Sequence, residues 1–283
     1  VRLLITGVCG FIGSHLAERF HAQGDEVFGV DNLETGRLPN WPTACELDIS
    51  QRRDLYEYAN VARPDLVIHC AASYKDPAKW HRDIDTNVTG TVNAVLVAKH
   101  HGCPIVYFQT ALPPVSSYAI SKTAGLHYIQ QSGIPHLVFR LANIYGPRNL
   151  SGPVPTFYKR LQAGDPCTVV DTTRDMLYID DLLAVVERAI AEEAEGVFDV
   201  CSGFEYSIHD LYKEVAEAVC GPVYPRAALV NAPADDVKTE LDPARRYPGT
   251  EATTSLRTGI RRACAWYEGN GVEQTFTHLS LKG

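Results

Sequence analysis

The amino-acid order predicts an α/β fold, a doubly wound parallel sheet followed by a smaller C-terminal α/β cap. Three observations predict it. A glycine turn, Thr6-Gly-Val-Cys-Gly-Phe-Ile-Gly13, stands between an apolar run and a helical pattern at the start of the chain. Apolar runs of strand length then alternate with helical segments as far as Arg140. Beyond residue 142 the composition shifts towards Gly and Pro, as in Gly146-Pro-Arg, Gly152-Pro-Val-Pro and Gly164-Asp-Pro.

Each element has its own reason. Val1-Arg-Leu-Leu-Ile5 reads as a buried parallel strand, and Ser14 to His21 as a helix with Leu16, Ala17 and Phe20 on one face. Strand, glycine turn and helix together can cradle a dinucleotide pyrophosphate on a helix N-terminus. Gly24 ends the helix, and Glu26 to Val30 forms the second strand, delivering Asp31-Asn32 eighteen residues past Gly13. An acidic residue there suits ribose hydroxyls and repels a 2′-phosphate, which favours NAD over NADP. Ala44 to Ile49 reads as a third strand ending at Asp48, followed by a helix from Ser50, its expected N-cap, to Tyr58. Pro64 to Cys70 is a fourth strand leading into Ala71-Ala72, whose small side chains would admit a cofactor. A long helix is expected from about Asp83 to His101, and a fifth strand from Pro104 to Gln109, ending at Thr110. In the next helix Tyr118 and Lys122 are four residues apart and share a face. A lysine ammonium beside a tyrosine would favour the phenolate and lower the tyrosine's proton affinity.

After the strand His136 to Arg140 the pattern loosens. Helices are expected at Thr156 to Gln162, Leu182 to Glu192, Ile208 to Val219 and Leu256 to Tyr267, with strands at Thr168 to Asp171 and Val197 to Val200. Residues 1–142 are therefore expected to form the dinucleotide-binding domain, with a segment at about 172–205 returning to it. Residues 143–283 are expected to be mainly a substrate-binding cap.

At 283 residues the chain has room for such a pair. Its 45% hydrophobic and 21% charged residues are ordinary for a globular protein. A net charge of −8 argues against nucleic acid or an anionic membrane as partner. No apolar run approaches the ~20 residues of a membrane span, and no signal-peptide pattern is present, so the expected location is the cytoplasm. The eight cysteines lack Cys-x-x-Cys spacing and read as reduced thiols; no metal site is expected, and His100-His101 reads as solvent-facing. With Val1 first and a single methionine, the chain is expected to begin a few residues after its true start.

Together these motifs resemble the extended short-chain dehydrogenase/reductases, specifically the NAD-dependent nucleotide-sugar epimerase/dehydratase family, and within it the UDP-sugar 4-epimerases. The motifs are Thr6-Gly7-x-x-Gly10-Phe-Ile-Gly13, Asp31-Asn32, Asp48-Ile49, His69-Cys-Ala-Ala72, Asn87 in Thr-Asn-Val-Thr-Gly-Thr, Tyr118-x-x-x-Lys122, Arg140-Leu-Ala-Asn143-Ile-Tyr-Gly-Pro147 and Arg174-Asp-x-x-Tyr-Ile-x-Asp181. The resemblance implies a Rossmann-type sheet with NAD as cofactor. It places Gly7, Gly10, Phe11, Ile12 and Gly13 at the pyrophosphate, Asp31 and Asn32 at the adenosine ribose, and Asp48 and Ile49 against adenine. Cys70, Ala71, Ala72 and Asn87 would line the middle of the cofactor, and Lys122 would reach the nicotinamide ribose. Thr110, Tyr118 and Lys122 would be catalytic, with Tyr118 also bordering NAD. Tyr74, Thr110, Asn143 and Arg174 would meet a nucleotide-diphosphate sugar, Arg174 through its bidentate guanidinium. A homodimer is typical of the family.

Three departures qualify the resemblance. Tyr118 follows Thr110 by only eight residues, where the family has some two dozen and a Tyr-Gly turn. Either the loop is deleted, or a segment is missing between Leu112 and Pro113; the second is favoured, because loops over active sites are often disordered without substrate. Ala111-Leu112 replaces the Asp-Glu that dehydratases carry after the threonine, and the Glu that decarboxylases keep nearby. That favours oxidation and re-reduction at one carbon, an epimerase, over a dehydratase, a decarboxylase or a 3- or 5-epimerase. Finally, the region from Ala232-Pro-Ala-Asp-Asp-Val-Lys238 through Leu241-Asp-Pro-Ala-Arg shows no counterpart of the arginine with which many UDP-sugar epimerases grip the diphosphate.

Overall fold

Strands buried on both faces need unbroken apolar runs, and the first half of the chain supplies them one after another. The computed structural model describes residues 1–73, 79–233, 236–272 and 274–275. In order these form β1 (Arg2–Thr6), α1 (Phe11–Ala22), β2 (Glu26–Asp31), β3 (Cys45–Glu46), α2 (Arg52–Ala62) and β4 (Leu66–His69). Then come α3 (Trp80–Asp83), a π-helical turn (Ile84–Gly90), α4 (Thr91–His101), β5 (Ile105–Thr110), α5 (Ser117–Gln131) and β6 (His136–Leu141). The remainder comprises β7 (Asn143–Tyr145), α6 (Pro153–Ala163), β8 (Thr168–Asp171), β9 (Thr173–Tyr178), α7 (Ile179–Ala191), β10 (Gly196–Val200), β11 (Glu205–Ser207), α8 (Ile208–Cys220), β12 (Ala228–Asn231) and α9 (Leu256–Asn270).

The large sheet runs β10-β6-β5-β4-β1-β2-β3. The pairs β1/β2, β1/β4, β2/β3 and β4/β5 are parallel. Strand order reverses at β1, with β2 on one side and β4 on the other, which is the doubly wound plan that the sequence predicts. Leu4, Val67, Ile105, Val97, Ala98 and Tyr107 lie in one buried cluster on this sheet. At the reversal the two loops leaving β1 and β4 meet. A Cβ added to Gly7, whose φ is +68°, would stand 2.7 Å from both N and Cα of Ala71. One added to Gly13 would stand 2.3 Å from the Gly7 carbonyl oxygen. Only glycine fits either position.

Several local expectations change. The first helix begins at Phe11 rather than Ser14. β3 is only two residues long, because the chain turns at Asp48, whose Oδ1 accepts from Ser50 N at 2.8 Å. That turn spends Ser50, so Gln51 occupies the N-cap of α2, and the helix continues to Ala62. The long helix expected from Asp83 starts at Trp80 and contains the π-turn at Ile84–Gly90. α5 is capped by Ser116, whose hydroxyl accepts from Ala119 N, and extends to Gln131.

The described chain divides into a unit of Val1–Arg140 with Ala189–Phe198, and a unit of Leu141–Arg188 with Asp199–Gly283. In the second unit β9 pairs with β11 antiparallel and with β7 parallel, and β8 pairs with β12. Helices α6, α8 and α9 pack on one another, with Phe157 against Tyr212 and Tyr158 against Tyr267 at ring separations of 5.3 and 5.1 Å.

The glycine contact gives a direct prediction. Gly7→Ala should lose about 1–3 kcal/mol of unfolding free energy through strain at a positive φ and collision with the Ala71 backbone. Urea denaturation reads it; unchanged stability would mean that the two loops are not in contact.

Candidate active site

The polar residues of the first unit gather at the carboxyl ends of β1, β4 and β5. Helix α1 starts at Gly10 with no side-chain cap and no acidic residue in its first turn, leaving its N-terminus suited to an anion. Asp31, at the end of β2, is 6% exposed. Its Oδ2 accepts from Cys9 N at 2.9 Å and its Oδ1 from Leu33 N at 2.8 Å. Burial raises its proton affinity and these amides counteract it. The two oxygens offer about four lone-pair sites, more than the Leu33, Cys9 and Gly10 amides use, so the group can hold the glycine loop and still accept a ribose hydroxyl. The loop's own Cys9 is buried, and burial, with the Asp31 charge, pushes its thiol up to about 12.

A buried chain of hydrogen bonds runs behind this loop. Thr91 Oγ1 donates to the Asn87 carbonyl at 2.7 Å and therefore accepts from His69 Nε2 at 2.9 Å. His69 Nδ1 is then the acceptor for the Thr6 hydroxyl, at 2.7 Å. Burial, and secondarily Lys122, hold His69 down at about 3, so it stays neutral in this tautomer. The Asn87 side chain is fully committed: Oδ1 accepts from Ser73 N at 3.0 Å, and Nδ2 donates to Ser73 Oγ at 2.8 Å and Ser121 Oγ at 2.9 Å. Ser121 in turn donates to the Tyr118 carbonyl at 2.8 Å.

Tyr118 and Lys122 lie on α5, four residues apart, but at different depths. Tyr118 is half-buried, whereas Lys122 is 3% exposed with its Nζ 4.0 Å over the Tyr107 ring. The expected lowering of the tyrosine is therefore corrected. Burial, and then the Asp83 carboxylate, push Tyr118 up to about 12. Lys122 is itself brought down to about 7 by burial, with Cys70 as the opposing influence. Thr110, half-buried at the end of β5, accepts from Leu112 N at 3.2 Å. The connection of residues 111–116 carries neither carboxylate nor histidine.

The other expected positions behave unequally. Phe11, Ile12, Cys70 and Ala71 are partly accessible, and Ala72, Asn32 and Asp48 are exposed. Ile49 is 4% exposed, in the core cluster and close against Gly90, so in this structure it packs inward. Tyr74 lies outside the described residues. In the second unit Asn143 Nδ2 donates to the Asp175 carbonyl at 3.1 Å. Arg174 pairs with Asp236 and also donates to Thr172 Oγ1 at 2.9 Å. Ser73, Asp83, Ser121 and Tyr107 are site residues that the sequence pattern does not single out. The usable signals are helical spacings: Asp83 precedes Asn87 by four residues, and Ser121 follows Tyr118 by three.

Comparison with known proteins agrees with this fold. The sequence profile of the NAD dependent epimerase/dehydratase family matches residues 3–201. The Bordetella bronchiseptica enzyme WbmG, crystallised with NAD and UDP, superposes with a TM-score of 0.89 at 36% identity, covering 99% of this chain and 98% of that one. A UDP-glucose 4-epimerase of Mycolicibacterium smegmatis is 29% identical across 94% of this chain and 98% of its own. A UDP-N-acetyl-alpha-D-glucosaminuronate decarboxylase of Bacillus cytotoxicus is 30% identical across 94% and 97% respectively. The epimerase alignment spans 314 positions, more than the 283 residues of this chain, so that relative carries segments absent here.

The depth of Lys122 predicts a pH dependence. Above the ordinary lysine value of 10.5 both folded and unfolded chains hold it neutral. As pH falls from 10.5 towards 7 the unfolded chain takes up a proton that the folded chain does not. Stability should therefore fall by up to about 1.4 kcal/mol per pH unit on this account. In Lys122→Met that contribution should vanish. Urea midpoints between pH 7.5 and 10 for the two ligand-free proteins test it; parallel curves would contradict the assignment.

Proposed function

Because the chain belongs to the NAD-dependent epimerase/dehydratase family, we propose that it epimerises a nucleotide-diphosphate sugar, of the UDP-sugar class, at C4. NAD, when bound, would supply the acceptor and donor of the hydride that leaves and returns to C4. The glycine loop, the uncapped start of α1 and the Asp31 carboxylate fit its pyrophosphate and ribose. Tyr118 takes the proton from the C4 hydroxyl and returns it. Thr110 hydrogen-bonds that oxygen and orients it. Lys122 lies beneath and serves the cofactor ribose. Asn143 and Arg174 are the proposed contacts to the diphosphate, which would compete with Asp236 for the Arg174 guanidinium.

The choice of C4 epimerisation is carried by the pair that directly follows Thr110. Ala111 is 1% exposed and Leu112 is apolar, and neither can remove a proton from carbon or protonate a leaving hydroxyl. Simple oxidation and re-reduction needs no such group. WbmG's complex with UDP supports a uridine nucleotide. The Bacillus cytotoxicus relative favours decarboxylation as a second reading, since a 4-keto group would also activate a C5 carboxylate for loss of CO₂.

Incubation with UDP-, CDP- and dTDP-sugars in D₂O, followed by NMR, separates the readings. The expected product is a C4 epimer free of deuterium, with no NADH released. Deuterium on the sugar carbon or loss of CO₂ would overturn the proposal.

A further inference from the structure

Asp83 closes α3 and is 1% exposed. Its Oδ1 accepts from the Ser73 hydroxyl at 2.6 Å, while its Oδ2 is buried with no hydrogen-bond partner among the described residues. Unmatched buried carboxylate oxygens are costly and rare, and one beside an acid–base group points to a use for its charge. The hydrogen bond to Ser73 has directional consequences. With its proton committed to Asp83, Ser73 Oγ offers only lone pairs to Asn87 Nδ2, 2.8 Å away. Asn87 turns its Oδ1 to Ser73 N, which can only donate, and its remaining amide hydrogen to Ser121, which donates to the carbonyl of Tyr118. Every bond from the α3 carboxylate to the Tyr118 carbonyl on α5 thus has one direction, and the carboxylate fixes that of the Ser73 hydroxyl.

We propose that Asp83 is a positioning residue for the reaction at Tyr118, a buried negative charge that orders the Ser73–Asn87–Ser121 chain and sets the charge balance at the tyrosine oxygen. This rests on Tyr118 being the acid–base group proposed above. Tyr118 is faced by Asp83 from α3 and by Tyr107 from β5; Lys122 stands four residues further along its own helix, with Cys70 and His69 of the β4 end beside that lysine. Arg82 is the cation next to Asp83 on α3, and it pairs with Glu34. Burial and Asp83 both oppose the phenolate. Asp83 therefore favours the protonated form of Tyr118 and sets how readily it gives up its proton.

The test uses NAD-bound protein labelled with ¹³C at the tyrosine Cζ, the Tyr118 resonance being assigned by its loss in Tyr118→Phe. Asp83→Asn removes the charge and keeps an acceptor for Ser73. It should lower the Tyr118 titration midpoint by about one pH unit, and move the acid limb of kcat/KM in the same direction. Ser73→Ala keeps the charge and cuts the chain; it should leave the midpoint in place and reduce kcat several-fold with KM unchanged. An unmoved or raised midpoint in Asp83→Asn overturns the proposal. So does a midpoint that also moves in Ser73→Ala, which decides the matter if Asp83→Asn does not fold. The midpoint needs no sugar nucleotide, so failure of the substrate reading leaves this test intact. Epimerisation with no midpoint shift would sink the role of Asp83 alone.

Discussion

One buried side-chain amide, that of Asn87, holds the working part of the first unit together. It is 0% exposed and reaches three partners: the backbone N–H and hydroxyl of Ser73, on the connection after β4, and the hydroxyl of Ser121 on α5. An amide left unmatched at such depth costs about 1–3 kcal/mol, so the three segments are tied to one arrangement. The surrounding backbone is shaped to permit it. The helix carries a π-turn at this point, a feature that recurs at functional sites. α5 approaches so closely that a Cβ on Gly125 would stand 2.8 Å from the Asn87 carbonyl oxygen. The side-chain amide, the π-turn and Gly125 are thus parts of one fit, and Tyr118 inherits its position from it.

The same logic joins the cofactor end to the acid–base end. His69 bridges Thr6, at the mouth of the glycine loop, and Thr91, which leans on Asn87. The bridge requires a neutral imidazole, and burial supplies it. Stacking of His69 on Tyr107, with rings 5.6 Å apart, places the aromatic face over which Lys122 Nζ lies. Charge in this unit is therefore governed by depth as much as by pairing. In the second unit the pattern is the ordinary one, with Arg174 paired to Asp236 and Lys238 to Glu205 at 3.2 Å.

Much of this is legible in the sequence. The strand, glycine and helix order around Gly7 and Gly13 can be read because parallel strands are apolar throughout and because glycine marks where backbones must touch. Asp31 and Asn87 are legible through their place in known motifs. The depth of Lys122 is not: spacing of four residues fixes a shared helix face but says nothing of how far that face lies beneath the surface. The π-turn is invisible because a regular helical period describes Ile84–Gly90 equally well. Ser73 and Asp83 escape notice because short polar residues near loops read as turn formers, and only the folded chain shows them buried. β3 reads too long because Leu47 continues the apolar pattern, while Asp48 turns the chain to start α2.

On this account the buried frame holds Tyr118 as the proton carrier beside a retained cofactor. The most direct test is turnover of the Tyr118→Phe protein, measured together with NAD content per chain. Loss of the hydroxyl alone should cut kcat by at least about a hundredfold while NAD content stays at the wild-type level. Turnover comparable with wild type, at equal NAD content, would contradict the account.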